Sequence, residues 1–115
     1  MARAGDIVLL PFPFTDLSAA KKRPVLLVSD EDALGDFLAM AVTSQPGHSA
    51  TIALNQPDMR MGALPKPSWV RIDKLFTLNR QLIAISFGNV TDDLLRRVRR
   101  AACLHLGCYP ETPAP

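Results

Sequence analysis

The sequence predicts a single, mainly β (α+β) domain that ends in an amphipathic helix. Its 115 residues suffice for one domain but not for two, and a domain of this length buries roughly two-thirds of its unfolded surface. Short runs of β-branched residues and leucine, separated by glycine and proline, recur over residues 7–87 and are typical of strands. A helical hydrophobic period begins only after Thr91. We therefore expect one domain over residues 1–107 and a proline-rich tail over residues 108–115.

The first two predicted strands flank a cationic segment. Ile7–Leu10 has the apolar content of a buried strand, and Pro11 is expected to end it. The second strand, Val25–Ser29, is preceded by a run of three cations, Lys21, Lys22 and Arg23. Fixed positive charge at the rim of a strand could bind a phosphate group, and Arg23 is the best placed of the three. The alternative is a solvated loop that protects an edge strand from aggregation.

A third apolar run, Phe37–Val42, ends in two hydroxyl residues, Thr43 and Ser44. Hydroxyls at the end of a buried strand often cap loops, and they also occur where a scaffold strand passes into a ligand-binding loop. The spacing leaves both possibilities open. A fourth strand is predicted at Ala50–Leu54, and residues 55–67 are expected to form a long loop.

The segment Ser68–Asp73 is the most informative strand of the sequence. Its alternation sends Trp69, Arg71 and Asp73 to one face and the apolar residues to the other. A tryptophan could stack a base, an arginine could hold a phosphate and an aspartate could accept a proton, which are roles that RNA cleavage requires. An ordinary Arg-Asp pair beside a half-buried tryptophan explains the same pattern equally well.

Two more strand segments, Leu75–Leu78 and Gln81–Phe87, flank a predicted turn at Asn79. Thr91 then has the features of a helix N-cap, and Gly107 those of a helix C-terminus. The apolar residues of this helix fall on one arc and its four arginines on the other, so the helix is expected to pack on the sheet.

Three features of the helix and loops receive structural interpretations. The arginine stripe, Arg96 to Arg100, is expected to be a solvated face, with an RNA or partner surface as the alternative. His105 lies on the apolar arc and is expected to be a buried core residue. His48 has no partner histidine nearby, and we assign it no site role.

Composition excludes several classes of protein. Thirteen Lys and Arg against 11 Asp and Glu give a net charge of only +2, so any basic surface must come from local clustering. No window has the ~20 apolar residues of a membrane span, and the first residues lack a signal-peptide core, so we expect a cytoplasmic protein with no membrane association. Cys103 and Cys108 have neither metal-site nor disulfide-framework spacing and are expected to be reduced, largely structural thiols.

Several segments, taken in order, resemble the MazF/PemK family of toxin endoribonucleases, and the similarity extends from Gly5 to about Leu106. The Arg-Pro before a strand, the Thr-Ser after the next long strand and the Val-Arg-x-Asp strand are specific in combination. The matching segments are Gly5-Asp6-Ile7-Val8, Phe12-Pro13-Phe14-Thr15-Asp16, Lys22-Arg23-Pro24-Val25-Leu26, Val42-Thr43-Ser44 and Ser68 to Lys74.

The resemblance implies a small SH3-like barrel with helices and a homodimer whose interface carries the RNA site. It also implies cleavage of single-stranded RNA without metal or other cofactor, and neutralisation by a cognate antitoxin protein. The chain departs from the better-studied branch because it lacks the Gly-Glu-Gln loop before Arg-Pro, and the family's histidine in that loop is also absent.

The resemblance also implies roles for individual residues. The catalytic positions of the family correspond to Arg23, Thr43, Arg71 and Asp73, and the positions that line its RNA groove correspond to Ser44 and Trp69. Lys21 and Lys22 add charge for RNA beside them.

A metal-independent cleavage would form a 2′,3′-cyclic phosphate and a 5′-hydroxyl, with Asp73 as candidate base, the two arginines as charge stabilisers and Thr43 as a hydrogen-bonding group. Two alternatives remain, a toxin of the same fold that poisons DNA gyrase and a catalytically silent barrel that binds RNA or a partner.

Overall fold

The structure is a computed structural model that describes residues 1–12 and 21–108. Its elements are β1 (Asp6–Phe12), β2 (Lys21–Leu27), β3 (Asp36–Thr43), β4 (Thr51–Leu54), β5 (Met59–Gly62), β6 (Ser68–Asn79), β7 (Ile85–Val90) and α1 (Asp92–Leu106). All paired strands are antiparallel and form one sheet in the order β4-β6-β3-β2-β1-β7-β5. The mainly β architecture with a C-terminal helix is confirmed.

The sheet is curled, because its two edge strands are joined by a very short connection. β4 and β5 lie at opposite ends of the strand order, yet Leu54 ends one and Met59 begins the other, with a single 3₁₀ turn at Gln56–Asp58 between them. Five peptide steps span at most roughly 18 Å, so the edges must approach each other. The result is the small, incompletely closed barrel that the resemblance implied.

Two apolar clusters stabilise the fold, one on each face of the sheet. The first takes Leu94 and Val98 from α1 and packs them against strand residues that include Ile7, Leu26 and Val70. The second lies on the other side of the central strands and contains Val8, Leu10, Val25, Leu27, Phe37 and Ala39. Strands buried on both faces explain why β2 and β3 appear in the sequence as continuous apolar runs.

Helix α1 begins and ends where the sequence predicts. The Thr91 Oγ1 atom accepts a hydrogen bond from the Leu94 backbone N–H at 3.2 Å. At the other end Gly107 has a left-handed backbone with φ of 79°, which allows the Cys108 N–H to bond to the Cys103 carbonyl at 2.8 Å. Both predicted caps are confirmed.

The arginine stripe of α1 contributes to packing of the helix. Arg99 donates two hydrogen bonds to the carbonyl oxygen of Val28, at 2.7 and 3.0 Å, where the chain leaves β2. Arg97 forms ion pairs with Asp58 and, one helical turn away, Asp93. The contacts with Val28 and Asp58 attach the polar face of the helix to the end of β2 and to the 3₁₀ turn, so part of the stripe is not simply solvated.

The structure corrects several expectations about individual elements. β1 does not end before Pro11 but continues to Phe12. Because β7 pairs with β1 only as far as Leu9, Pro11 lies where β1 has a single neighbouring strand, and a residue without an N–H is tolerated there. The predicted loop 55–67 contains β5. Leu75–Leu78 is not a separate strand but the second half of β6.

Expectations for the end of α1 are also corrected. His105 is exposed and not in the core, because only Leu94 and Val98 of the helix are buried and its last turns extend beyond the sheet. Cys103 and Cys108 are free thiols, but both are exposed and so contribute little to packing. The tail predicted for 108–115 falls outside the described residues from position 109 onward.

Two glycines allow the edge strand β5 to pair with β7. Gly62 and Gly88 are opposite each other in the ladder, with φ of 85° and 127°. A Cβ on Gly88 would collide with the Met61 carbonyl, and a Cβ on Gly62 with that of Phe87.

The described ranges contain no helix with the length and apolarity that a membrane span requires.

Candidate active site

The candidate site lies where β2 and β3 separate. The two strands pair at Leu27 with Ala39, Leu26 with Met40 and Val25 with Ala41, and the ladder stops there. The next residue of β2 is Pro24, which has no N–H and so offers no hydrogen bond to β3. Beyond this point β2 remains paired only with β1, while β3 follows β6. The arginine-proline motif therefore opens a gap in the sheet.

A cavity of about 680 Å³ occupies this gap, which is within the range of ligand-binding pockets. Its apolar floor includes Ile7, Leu9, Leu64 and Phe87. Its polar lining consists of five permanent cations, three hydroxyls, an amide and an imidazole: Lys22, Arg23, Lys66, Arg71, Lys74, Thr43, Ser44, Ser68, Gln45 and His48. No aspartate or glutamate is among the described residues that line it. The cavity is thus strongly cationic in a protein that is almost neutral overall.

Arg23 is a charge of this cavity that no described residue compensates. It lies on β2 opposite Leu10 of β1, next to the point where the β2–β3 ladder ends. Its side chain is exposed, and within the described chain no acceptor bonds to its guanidinium. A fixed strand therefore presents a planar group with five N–H donors that is ready to bind a phosphate.

A large bulge in β6 supplies the second arginine. Met40 of β3 pairs with Leu75 and Val42 pairs with Val70, so the four residues 71–74 of β6 lie opposite Ala41 alone. Arg71 and Lys74, at the two ends of this bulge, line the cavity. Bulges of this kind redirect side chains beside active sites, and here the bulge brings two cations of one strand into the cavity.

Arg71 is held in place by a bidentate ion pair with Asp73. Its Nη2 donates to Asp73 Oδ2 at 2.9 Å and its Nε to Asp73 Oδ1 at 3.3 Å. These hydrogen bonds, with the charge of the guanidinium, lower the pKa of the Asp73 carboxyl although partial burial opposes the shift. Asp73 is therefore firmly ionised at neutral pH. Arg71 retains three of its five N–H donors for a ligand.

The hydroxyl residues at the end of β3 line the cavity, and one of them also caps the loop that follows. Thr43 Oγ1 accepts the Gln45 backbone N–H at 3.1 Å, which starts the turn after the strand. No described group accepts the hydroxyl hydrogen of Thr43, so the same side chain can donate a hydrogen bond into the cavity that it lines. Ser44 follows on the rim and is exposed.

The structure brings five of the eight predicted site residues to the cavity: Lys22, Arg23, Thr43, Ser44 and Arg71. Asp73 is attached through its ion pair with Arg71 but does not line the cavity. Trp69 is the pairing partner of Thr43 and shares its face of the sheet, yet it too lies outside the lining, as does Lys21. A base-stacking role for Trp69 and an RNA contact for Lys21 remain predictions.

Five polar lining residues were not predicted as site residues from the sequence: Gln45, His48, Lys66, Ser68 and Lys74. Gln45 and His48 belong to the loop between β3 and β4, and Lys66 to the loop between β5 and β6. Two features of the sequence could have drawn attention to these loops: the hydroxyl residues at the start of the first loop and the prolines on either side of Lys66 in the second. Neither signal shows that two loops far apart in sequence face each other across one cavity. Among the described residues, no group of three or more His, Cys, Asp or Glu side chains is arranged to hold a metal ion.

The fold occurs in several solved toxin structures. One is an endoribonuclease in complex with its cognate antitoxin from a mycobacterial species, with a TM-score of 0.72, 20% sequence identity and coverage of 96% of this chain and 99% of that chain. Another is MazE-MazF from Deinococcus radiodurans, with a TM-score of 0.69, 23% identity and coverage of 93% and 96%. The Mycobacterium tuberculosis toxin MazF-mt6 has a TM-score of 0.69, 16% identity and coverage of 91% and 99%.

At these identities the structural likeness concerns the fold alone, and no curated protein matches the sequence significantly. Family membership comes from the sequence model of one family, described as PemK-like, MazF-like toxin of type II toxin-antitoxin system, which matches residues 3–106. This match covers both strands that form the cavity and the helix that packs beneath them. The chain therefore belongs to the PemK-like, MazF-like toxins of type II toxin-antitoxin systems.

Proposed function

We propose that this toxin is an endoribonuclease that cleaves single-stranded RNA by transesterification, with no metal ion in the mechanism. The observation that carries the proposal is the cavity between β2 and β3, whose described lining contains five permanent cations, three hydroxyls and no carboxylate. Such a lining suits a polyanion with hydroxyl groups along its backbone. The products are a 2′,3′-cyclic phosphate and a 5′-hydroxyl end.

The two arginines stabilise the charge that develops on the phosphoryl oxygens. Arg23, which has no acceptor in the described chain, binds the scissile phosphate from the β2 side. Arg71 does so from the β6 side, and its ion pair with Asp73 fixes its orientation before the substrate arrives. A guanidinium stays protonated and has no site that accepts a proton, so neither arginine acts as the base.

Thr43 and Asp73 act around these arginines. Thr43 donates its hydroxyl hydrogen to the phosphate or to the 2′-oxygen, while its own oxygen remains bonded to the Gln45 N–H. The sequence suggested Asp73 as the base, but both of its oxygens are bonded to Arg71 and its pKa is lowered, which makes a carboxylate a weaker proton acceptor. We assign Asp73 the positioning of Arg71.

The proposed partners are single-stranded RNA, a cognate antitoxin and a second copy of the chain. Solved structures of the same fold include complexes with an antitoxin, both in the mycobacterial endoribonuclease and in the Deinococcus MazE-MazF pair. The homodimer rests on the family resemblance. We place the activity in the cytoplasm, where single-stranded RNA is available.

The test is incubation of the purified protein with a mixed-sequence single-stranded RNA in EDTA, followed by analysis of the fragment ends. Wild-type protein should produce cyclic-phosphate ends, and Arg23→Ala should abolish them with an unchanged circular dichroism spectrum. Arg96→Ala is the matched control, because Arg96 is an exposed arginine of α1 outside the cavity lining. Intact RNA with wild-type protein would overturn the nuclease proposal and direct attention to gyrase or another protein target.

A further inference from the structure

The cavity contains one imidazole that the proposed mechanism has not used. His48 lies in the loop between β3 and β4 and lines the same cavity as Arg23, Thr43 and Arg71. The residue before it, Gly47, has a φ of 102°, a conformation that glycine adopts readily and other residues rarely. Pro46, Gly47 and His48 are all exposed.

The cleavage needs a proton acceptor for the 2′-hydroxyl, and few described lining residues qualify. Lysine and arginine are charged at neutral pH, and the hydroxyls and the amide are poor bases. No described aspartate, glutamate, cysteine or tyrosine lines the cavity. The carboxylate of the predicted site, Asp73, has both oxygens engaged by Arg71. Imidazole is the side chain whose ordinary titration falls between pH 5 and 8, so its neutral form can accept a proton there.

We infer that His48 is the general base of the RNA cleavage reaction, accepting the proton of the attacking 2′-hydroxyl. This inference rests on the proposed nuclease function and adds to it the residue that moves the proton. The other described histidine, His105, lies on α1 and does not line the cavity.

The step balances without an external reagent. The 2′-oxygen loses its proton to a ring nitrogen of His48 and forms a bond to phosphorus. The bond between phosphorus and the 5′-oxygen breaks, and the 5′-oxygen takes a proton from water. The imidazolium then returns its proton to the solvent. Arg23 and Arg71 stabilise the phosphoryl charge during this exchange.

Among the described residues, five charged groups border the cavity with His48, and all five are cations. Lys22 and Arg23 come from β2, Arg71 and Lys74 from the bulge of β6, and Lys66 from the loop before β6. None of these side chains is a proton acceptor at neutral pH. Among the described lining residues, His48 is therefore the group whose replacement should remove the pH dependence of base catalysis.

The test compares wild-type protein, His48→Gln and His105→Gln in single-turnover cleavage of an RNA oligonucleotide from pH 5 to pH 8. We expect His48→Gln to lower the rate constant by about 10²- to 10⁴-fold, the usual contribution of general base catalysis. The wild-type rate should fall as the pH is lowered, because an imidazolium cannot accept the proton, and this dependence should be absent in His48→Gln. His105→Gln should behave as wild type.

Two further measurements distinguish catalysis from binding. The affinity for an RNA with a single 2′-deoxy substitution at the cleavage site should be unchanged in His48→Gln, and added imidazole should restore activity to His48→Gly. Wild-type rate and pH profile in His48→Gln would overturn the inference, as would a loss of RNA affinity that accounts for the whole defect. If wild-type protein fails to cleave RNA at all, the proposed function falls, and with it the basis of this inference.

Discussion

Substitution of Asp73 should affect catalysis and stability to different extents, because the ion pair between Arg71 and Asp73 contributes to both. Asp73→Asn keeps the shape of the side chain but removes the charge and replaces one acceptor oxygen by a donor. Because Arg71 then loses its fixed orientation, we expect the cleavage rate constant to fall about 10- to 100-fold. Affinity for uncleavable 2′-deoxy RNA should stay the same or increase, since the cavity gains net positive charge.

The cost in stability follows from the exposure of the pair. The side chains of Arg71 and Asp73 are 23% and 30% exposed, so solvent screens part of their attraction. Ion pairs at the surface contribute about 0.2–1 kcal/mol, and bidentate geometry places this pair near the upper end. For 115 residues, a loss of about 1 kcal/mol corresponds to a decrease in Tm of about 4 °C.

The same substitution has a defined pH dependence. The folded-state pKa of Asp73 is lowered chiefly by its hydrogen bonds with Arg71. The stability that the ionised Asp73 contributes is therefore fully present above its ordinary pKa of 3.8 and is lost as the pH falls through its folded-state pKa. Wild type and Asp73→Asn should therefore differ in unfolding free energy at pH 7 and converge in strong acid. Arg60→Gln, which breaks the exposed Arg60–Asp92 pair away from the cavity, is the control for both assays. Wild-type cleavage by Asp73→Asn would refute the positioning role.

Three other substitutions test the architecture of the site and the fold. Pro24→Val restores an N–H at the end of the β2–β3 ladder and should narrow the cavity, which should lower kcat/KM about tenfold or more without lowering Tm. Pro11→Val, which lies outside the cavity, should leave kcat/KM unchanged. Amide hydrogen exchange at position 24 reports whether the ladder has extended. Gly88→Ala should lower the free energy of unfolding in urea by about 2–4 kcal/mol, because φ at this position is 127° and the added Cβ collides with the Met61 carbonyl. Gly47→Ala should lower it by only about 1–2 kcal/mol, because a Cβ at position 47 has no neighbour within 4 Å. Arg99→Met should cost about 1 kcal/mol through loss of the hydrogen bonds to Val28, against less than about 0.5 kcal/mol for Arg100→Met.

The elements that the sequence predicted well are those determined by local chemistry. Thr91 and Gly107 set the ends of α1 through hydrogen bonds to their own neighbours, so the caps were visible before the structure. The apolar runs of β2 and β3 and the alternation in the first half of β6 likewise reflect burial of individual residues. Arg23, Thr43 and Arg71 were assigned site roles through the resemblance to the MazF/PemK family, because the local pattern at each position left an alternative open.

The features that sequence reasoning missed depend on pairing between distant segments. Pro11 could remain in β1 only because β7 pairs with β1 no further than Leu9, and the sequence of β1 does not show where that pairing ends. The bulge in β6 exists because β3 pairs with both halves of that strand in different registers. His48 and Lys66 meet at one cavity only because the two strands between them curl the sheet, so neither residue carried a local signal of a shared site.

The distribution of charge explains how a protein with a net charge of only +2 can present a site for a polyanion. On α1, Arg97 is neutralised by Asp58 and Asp93, and Arg99 is engaged by a backbone carbonyl, so these cations serve the packing of the helix. None of the helix arginines lines the cavity. Among the described residues that line the cavity, the one cation in an ion pair is Arg71, and its partner Asp73 lies outside the lining. We therefore expect a phosphate to bind in the gap beside Pro24 rather than on the arginine stripe.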